Sequence, residues 1–148
     1  MHEKFYESKN LEKIEIRSYV DELIYFIKLS FSSQHKKIKI HTQIDNIELS
    51  LNQALPFSLL LNELITNSYK HAFKDKQNGN IYISLIKKPN ELIFNFKDDG
   101  FGFEFSNEMK ENTLGLNLIE AFSKQLKGEM SYHSKKSSGI EFKLHFKI

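Results

Sequence analysis

One predicted helix carries four side chains whose types and spacing suit the binding of a phosphorylated ligand. At positions i, i+4, i+7 and i+8 stand Glu63, Asn67, Lys70 and His71. At about 3.6 residues per turn, they fall within roughly a quarter-turn arc. Asn67 could give Mg²⁺ an amide oxygen, because Mg²⁺ needs few protein ligands beside phosphates and waters. Lys70 could neutralise phosphate and Glu63 could orient or deprotonate an attacking group. A plain solvated helix face with an i,i+4 pair is the alternative.

A carboxylate stands at the end of a predicted strand. Asp98 continues an alternating apolar row, which consists of Leu92, Phe94 and Phe96. Strand alternation therefore points Asp98 to the apolar side and Asp99 the other way. A buried carboxylate needs hydrogen-bond donors, since an unpaired buried charge costs on the order of several kcal/mol. The exocyclic amine of adenine is such a donor. An ordinary Asp-Gly turn with a capping aspartate is the alternative.

Glycines follow this strand and begin a long connection. Gly100 and Gly102 let the backbone turn and approach a ligand without a Cβ atom in the way. Residues 103–113 form a connection near the upper length of structureless loops in compact domains, and such long loops are often functional lids. A helix is predicted to follow, from about Leu114 to Leu126. Its N-terminus favours phosphate, and Gly115 would permit close approach of the phosphate chain.

Two periodicities of the apolar residues predict the elements that position these groups. Helical stripes run from Ile16 to Phe31 and from about Gln53 to Phe73. Alternation of period two predicts strands, which cover about 38–44, 47–51, 81–85, 92–96, 130–132 and 142–146. Strands with one dry and one wet face belong to a sheet that is covered on one side. We expect an α/β (α+β) fold, a two-layer sandwich in which three helices cover a mixed, mostly antiparallel sheet of five or more strands.

Composition bounds the class of protein. The chain has 148 residues, of which 40% are hydrophobic and 27% charged, as in ordinary globular domains. We expect a lead-in over residues 1–10 and one domain over residues 11–148. A formal charge of +2 gives no argument for a nucleic-acid partner, and the lack of cysteine excludes disulfides and thiolate chemistry. No apolar run approaches the roughly 20 residues that span a bilayer. We therefore expect a cytoplasmic domain without direct membrane contact, and any membrane tether of the protein would lie outside this chain.

Four segments together resemble the ATP-binding catalytic domain of sensor histidine kinases, within the wider group that includes DNA gyrase, Hsp90 and MutL. Residues 62–73 look like the N-box of that family, particularly in the subgroup with the second type of dimerisation and phosphoacceptor domain. Residues 98–102 look like the first glycine box, Asp-x-Gly-x-Gly. Residues 114–119 and 139–142 resemble the second and third boxes. The similarity covers about residues 10–148, and four boxes in order are a specific signal.

The resemblance implies roles for these positions. Asn67 would ligate Mg²⁺, Lys70 would contact the phosphates of ATP, and His71 would lie against the adenosine. Asp98 would bind the adenine amine. Glu63 stands where ATP-hydrolysing relatives have a general base. It would therefore be the catalytic residue, and it would polarise or position the attacking group. The other positions that would line the nucleotide are Gly100, Gly102, Gly115, Leu116 and Phe142.

The implied function is transfer of the γ-phosphoryl group of ATP to a histidine on a separate dimerisation domain, with a response regulator as a further partner. The second box has a single glycine, Gly115, and Ile140 stands where the family usually has threonine. Several histidines lack a helical-hairpin context: His2, His35, His41, His133 and His145. We therefore expect the phosphoaccepting histidine elsewhere, and an isolated chain that binds ATP but turns it over slowly. The alternatives are a free-standing serine kinase that also binds a sigma factor, and a degenerate nucleotide-binding module.

Overall fold

The computed structural model describes residues 13–74, 76–101, 114–135 and 138–148. The helices are α1 (Ile16–Ser30), α2 (Leu51–Asn67) and α3 (Leu114–Gln125). The strands are β1 (Lys13–Glu15), β2 (Lys37–Ile44), β3 (Glu48–Ser50), β4 (Asn78–Lys87), β5 (Glu91–Asp98), β6 (Glu129–Lys135) and β7 (Gly139–Lys147). The predicted lead-in, Gly102 and the predicted lid lie outside the described residues. In the part of the chain that is described, no helix combines the length and apolarity needed to cross a membrane.

Five strands form one mixed sheet in the order β2-β4-β5-β7-β6. β2 and β4 run parallel, and the other neighbours are antiparallel. A parallel pair needs a long crossover, and the segment with β3 and α2 supplies it between β2 and β4. β3 itself pairs with β1 in a separate two-stranded antiparallel sheet. The predicted sandwich of three helices on a mixed, mostly antiparallel sheet is confirmed.

A phenylalanine-rich layer joins the helices to one face of the sheet. Phe57 of α2 packs edge-on against Phe94 of β5, with ring centroids 5.1 Å apart. Phe94 also lies 6.0 Å from Phe142 of β7. Burial of one such side chain contributes roughly 1.5–3 kcal/mol, so this layer fixes α2 over the centre of the sheet. The end of β5 is thereby held against the end of α2.

The opposite face of the sheet is open and largely polar. A shallow depression of about 500 Å³ lies on it, lined by side chains from β2, β4, β5 and β7. Within it the rings of His41 and Tyr82 stack with centroids 4.8 Å apart. A sheet with one covered and one solvated face explains the alternation of apolar and polar residues along its strands.

Candidate functional site

The end of β5 holds a fully buried carboxylate. Asp98 is 0% exposed and lies on the helix side of the sheet, as strand alternation predicts. Its Oδ1 accepts hydrogen bonds from the backbone N–H groups of Gly100, at 3.1 Å, and Ile140, at 3.2 Å. Its Oδ2 accepts one from the hydroxyl of Ser68, at 2.6 Å. These donors replace the water that a buried carboxylate loses.

The carboxylate of Asp98 retains room for one further donor. An ionised carboxylate offers about four lone-pair positions, two on each oxygen. Among the described residues, Oδ1 uses both positions on backbone donors and Oδ2 uses one on Ser68. Burial raises the pKa of Asp98 above its ordinary value, while the bonds from Ser68, Gly100 and Ile140 act to lower it. One lone-pair position on Oδ2 is therefore left without a donor from the described residues.

Two glycines allow the chain to close around Asp98. Gly139 has a φ of +79°, and a Cβ atom added there would overlap the carbonyl oxygen of Asp98. A Cβ atom on Gly100 would overlap Ala72, whose carbonyl accepts a hydrogen bond from the N–H of Phe101 at 2.9 Å. The close approach predicted for Gly100 is thus made to the helix layer of the protein itself. Its contact with a ligand stays a prediction.

Asp99 has the opposite orientation and a different environment. It is exposed, and its carboxylate accepts hydrogen bonds from the backbone N–H of Asn80, at 2.8 Å, and from the Asn80 side chain, at 2.9 Å. Partial burial alone would raise the pKa of Asp99, but these bonds and the nearby charge of Lys76 lower it below its ordinary value. The two adjacent acids therefore differ in role: Asp98 faces the site and Asp99 anchors the strand end.

The polar residues predicted on one helix face are divided between two kinds of helix. The α-helix ends at Asn67, and the chain continues as a π turn over Ser68–Ala72. Glu63 and Asn67 are partly buried on α2, whereas Lys70 and His71 are exposed on the π turn. The prediction of a continuous α-helix to Phe73 is therefore wrong beyond Asn67. A π turn is wider and advances each residue by a smaller angle, so Lys70 and His71 leave the predicted arc.

These four side chains are available to a ligand. Considering described residues alone, Glu63, Asn67, Lys70 and His71 make no side-chain hydrogen bond or ion pair. The same part of the chain has no group of three or more His, Asp or Glu residues that could hold a metal unaided. Mg²⁺ does not require such a group, because it is usually bound by one or two protein oxygens together with phosphates and waters. The amide of Asn67, one turn after Glu63, fits that requirement.

The remaining predicted residues lie in α3 and β7. Gly115 and Leu116 are the second and third residues of α3, and Leu116 is buried, so the helix N-terminus predicted to favour phosphate begins where expected. Phe142 is 0% exposed and packs between Phe94 and Tyr132, with ring centroids 6.0 and 6.2 Å away. The structure thus gives Phe142 a place in the core, and its contact with a nucleotide stays a prediction.

Sequence reasoning missed Ser68 and Tyr132. Ser68 is 1% exposed and donates to Asp98 from a position 30 residues earlier in the chain. Tyr132 lies on β6, where burial and then the charge of Asp98 raise the pKa of its hydroxyl, so the group stays neutral. A serine directly after Asn67 is a weak sequence signal, because tertiary packing alone brings its hydrogen-bond partner, Asp98, next to it.

Known proteins resemble this chain in both sequence and structure. A family model described as "Histidine kinase-, DNA gyrase B-, and HSP90-like ATPase" matches residues 52–148. The chain is 28% identical over 96 residues to Blue-light-activated histidine kinase 2 of Erythrobacter litoralis, covering 64% of this chain and 28% of that protein. It is 21% identical over 113 residues to the Anti-sigma F factor of Shouchella clausii, covering 69% of this chain and 77% of that protein.

Solved structures of histidine kinases share the fold of this chain. The histidine kinase domain of the Erythrobacter litoralis EL346 blue-light activated histidine kinase matches with a TM-score of 0.80 at 21% identity, covering 90% of this chain and 61% of that one. The Acinetobacter baumannii histidine kinase AdeS matches with a TM-score of 0.72 at 18% identity, covering 92% and 66%. The chain therefore spans less than two thirds of these histidine kinases.

Proposed function

The chain belongs to the family of histidine kinase-, DNA gyrase B- and HSP90-like ATPases, and from this premise we propose that it is the catalytic domain of a sensor histidine kinase. It binds ATP with Mg²⁺ and transfers the γ-phosphoryl group to a histidine on a separate dimerisation domain, from which a response regulator receives it. The observation that carries the proposal is the inward-facing Asp98, whose Oδ2 accepts a hydrogen bond from Ser68, the residue directly after Asn67.

Adenine is the base that this arrangement favours. Its exocyclic amine donates to the free position on Oδ2 of Asp98. By the family resemblance Gly102 would line the base, and Phe142 would support it from the core. The bond from Ser68 to Asp98 places the end of α2 beside that position. His71 then lies against the adenosine and Lys70 beside the phosphates, which run on towards Gly115 and Leu116 at the N-terminus of α3.

Positioning and charge stabilisation account for catalysis in this proposal. During transfer, a bond forms between an imidazole nitrogen and the γ-phosphorus while the bond to the ADP oxygen breaks. When bound through Asn67, Mg²⁺ neutralises charge on the phosphates. Lys70 adds a positive charge there. Glu63 lies one turn before Asn67 on α2 and orients the incoming histidine.

A serine kinase that binds a sigma factor is the second candidate. The observation in its favour is sequence similarity: the chain is 21% identical to the Anti-sigma F factor over 113 residues. The two candidates differ in what they require of Glu63. A serine hydroxyl must lose its proton as it attacks, so a general base is needed, whereas a neutral imidazole nitrogen attacks with a free lone pair.

Radiolabelled ATP separates the two candidates. The chain is incubated with γ-labelled ATP, Mg²⁺ and the dimerisation domain of the full-length protein, and the labelled product is then treated with acid and with base. A histidine kinase gives acid-labile, base-stable label, and Glu63→Gln reduces transfer by less than about tenfold because orientation alone is lost. Acid-stable label, or transfer that depends strongly on Glu63, would favour the serine kinase.

A degenerate binding module is tested through Ile140. In the structure the backbone N–H of Ile140 supplies the hydrogen bond to Asp98, and its side chain is 4% exposed. A threonine hydroxyl would add about one neutral hydrogen bond, worth roughly 1 kcal/mol. We expect Ile140→Thr to change ATP affinity by less than about tenfold. A much larger gain would indicate a decayed site.

A further inference from the structure

We propose that Ser68 is a positioning residue that sets the base preference of the site, because its hydroxyl keeps Asp98 an acceptor for 6-amino purines and a poor partner for 6-oxo purines. This inference rests on the proposed function, since it requires a purine base to bind at Asp98. It adds a residue that neither the motifs nor their spacing identified.

The geometry of Ser68 is that of a donor to a charged group. Its Oγ lies 2.6 Å from Oδ2 of Asp98 and 3.2 Å from the carbonyl oxygen of Leu64. A hydroxyl carries one proton, and the shorter distance, within the range of an O–H bond to a carboxylate, assigns that proton to Asp98. Ser68 is 1% exposed, so water does not compete with Asp98 for the proton of its hydroxyl.

The same contacts decide where Asp98 can take up a proton. Both lone-pair positions of Oδ1 are filled by the N–H groups of Gly100 and Ile140. Protonation therefore occurs on Oδ2, the oxygen that accepts from the adenine amine in the proposed function. It converts a charged acceptor into a neutral hydroxyl. A 6-amino purine needs the charged acceptor, whereas a 6-oxo purine presents an acceptor of its own and is repelled by it.

Few other groups hold Asp98 in its ionised form. Within the described residues it has no ion pair with a cation. Asp99, next in the chain and on the opposite face, favours the protonated form. β6 presents the neutral hydroxyl of Tyr132. β4 presents the apolar Ile81 opposite Asp98. The titratable residues of the π turn, Lys70 and His71, are exposed. Ser68 is thus the one side-chain donor to this acid among the residues described.

Nucleotide binding by Ser68→Ala tests the inference. Isothermal titration calorimetry gives the affinities of Mg·ATP and Mg·GTP from about pH 5 to pH 8. Loss of one hydrogen bond to the carboxylate disfavours its charged form by about tenfold or more. We therefore expect ATP affinity and the ATP-over-GTP ratio to fall by up to about tenfold at the acidic end of this range, where Asp98 takes up a proton. The pH at which half of the ATP affinity is lost should rise by about one unit.

Ser123→Ala is the matched control. Ser123 is also 1% exposed, but its hydroxyl donates to the carbonyl of Ile119 within α3, at 2.8 Å, and meets no acid. The control should leave the ratio and the pH profile unchanged, and Ser68→Thr, which keeps a hydroxyl, should retain most of both. Comparison among variants also cancels the titration of the nucleotide phosphates.

The outcomes separate this inference from the proposed function. A Ser68→Ala protein whose base preference and pH profile match the wild type would overturn the role of Ser68 while leaving the ATP site intact. If that variant does not fold, Ser68→Cys, which has similar volume and a weak donor, carries the same expectations. Wild-type protein that binds no ATP at any pH would refute the proposed function, and the inference with it.

Discussion

Asp98→Asn should remove the preference for adenine while leaving the fold intact. The amide oxygen can keep both backbone hydrogen bonds that Oδ1 accepts from Gly100 and Ile140. The hydroxyl of Ser68 can turn to the carbonyl of Leu64, which lies 3.2 Å away, and accept a hydrogen bond from the new amide group. The ligand-facing atom, however, changes from an acceptor into a donor. It then opposes the adenine amine, which is also a donor.

The magnitude follows from the bond that is lost. A hydrogen bond to a charged group contributes about 1.5–3 kcal/mol, which corresponds to a loss of about tenfold to about 150-fold in ATP affinity. The oxygen at position 6 of guanine can accept from the new amide, so GTP should lose less affinity or gain some. Calorimetric titration of Asp98→Asn with Mg·ATP and Mg·GTP measures both, and thermal unfolding checks that the variant is folded.

Asp99→Asn is the matched control for this prediction. It removes the same charge one residue away, but its carboxylate is exposed and bonds to Asn80 on the opposite side of the strand. We expect it to retain the preference for ATP. If Asp98→Asn also retained that preference, or if both variants lost it equally, the role assigned to Asp98 would be refuted.

Three further predictions concern the metal, the backbone and acid stability. Asn67→Ala should weaken binding of Mg·ATP more than binding of adenosine, which carries no phosphate; equal losses in the two titrations would contradict the metal role. Gly139→Ala should destabilise the fold by at least about 1–3 kcal/mol in urea unfolding, because of its positive φ and the carbonyl of Asp98; a smaller loss would show that β7 can shift away. Because the pKa of Asp98 is raised, the folded state binds the proton of this group more tightly than the unfolded state does. Asp98 therefore adds stability as pH falls through its folded-state pKa towards its unfolded-state pKa. The lowered pKa of Asp99 has the opposite sign: its contribution is present above the unfolded pKa and is lost as pH falls through the folded one. As pH falls, the unfolding free energy of Asp98→Asn should therefore decrease relative to that of the wild type, and that of Asp99→Asn should increase. Shifts of the same sign in both variants would contradict this assignment.

The parts of the site that follow from local geometry could be predicted from the sequence. Successive side chains of a strand point to opposite faces, so the row that ends at Asp98 fixed its inward direction and the outward direction of Asp99. The period of the apolar residues likewise identified the three helices and the strands of the sheet. These features depend on neighbours in the chain, and the sequence contains that information.

Features that depend on contacts between distant segments could not be predicted. The π turn over Ser68–Ala72 is accompanied by contacts of Ser68 with Asp98 and of Ala72 with Phe101. No periodicity in the sequence predicts that a helix ends in a π turn. Alternation predicted the strand that contains β3, but β1 and its pairing with β3 were missed, because this pairing joins segments distant in the chain.

The most direct test of the central claim is a crystal structure with Mg²⁺ and a non-hydrolysable ATP analogue. We expect the adenine amine within about 3 Å of Oδ2 of Asp98, beside Ser68, with the phosphates and the metal next to Asn67 and Lys70. A base bound elsewhere, with Asp98 still holding its present donors and no ligand, would contradict it.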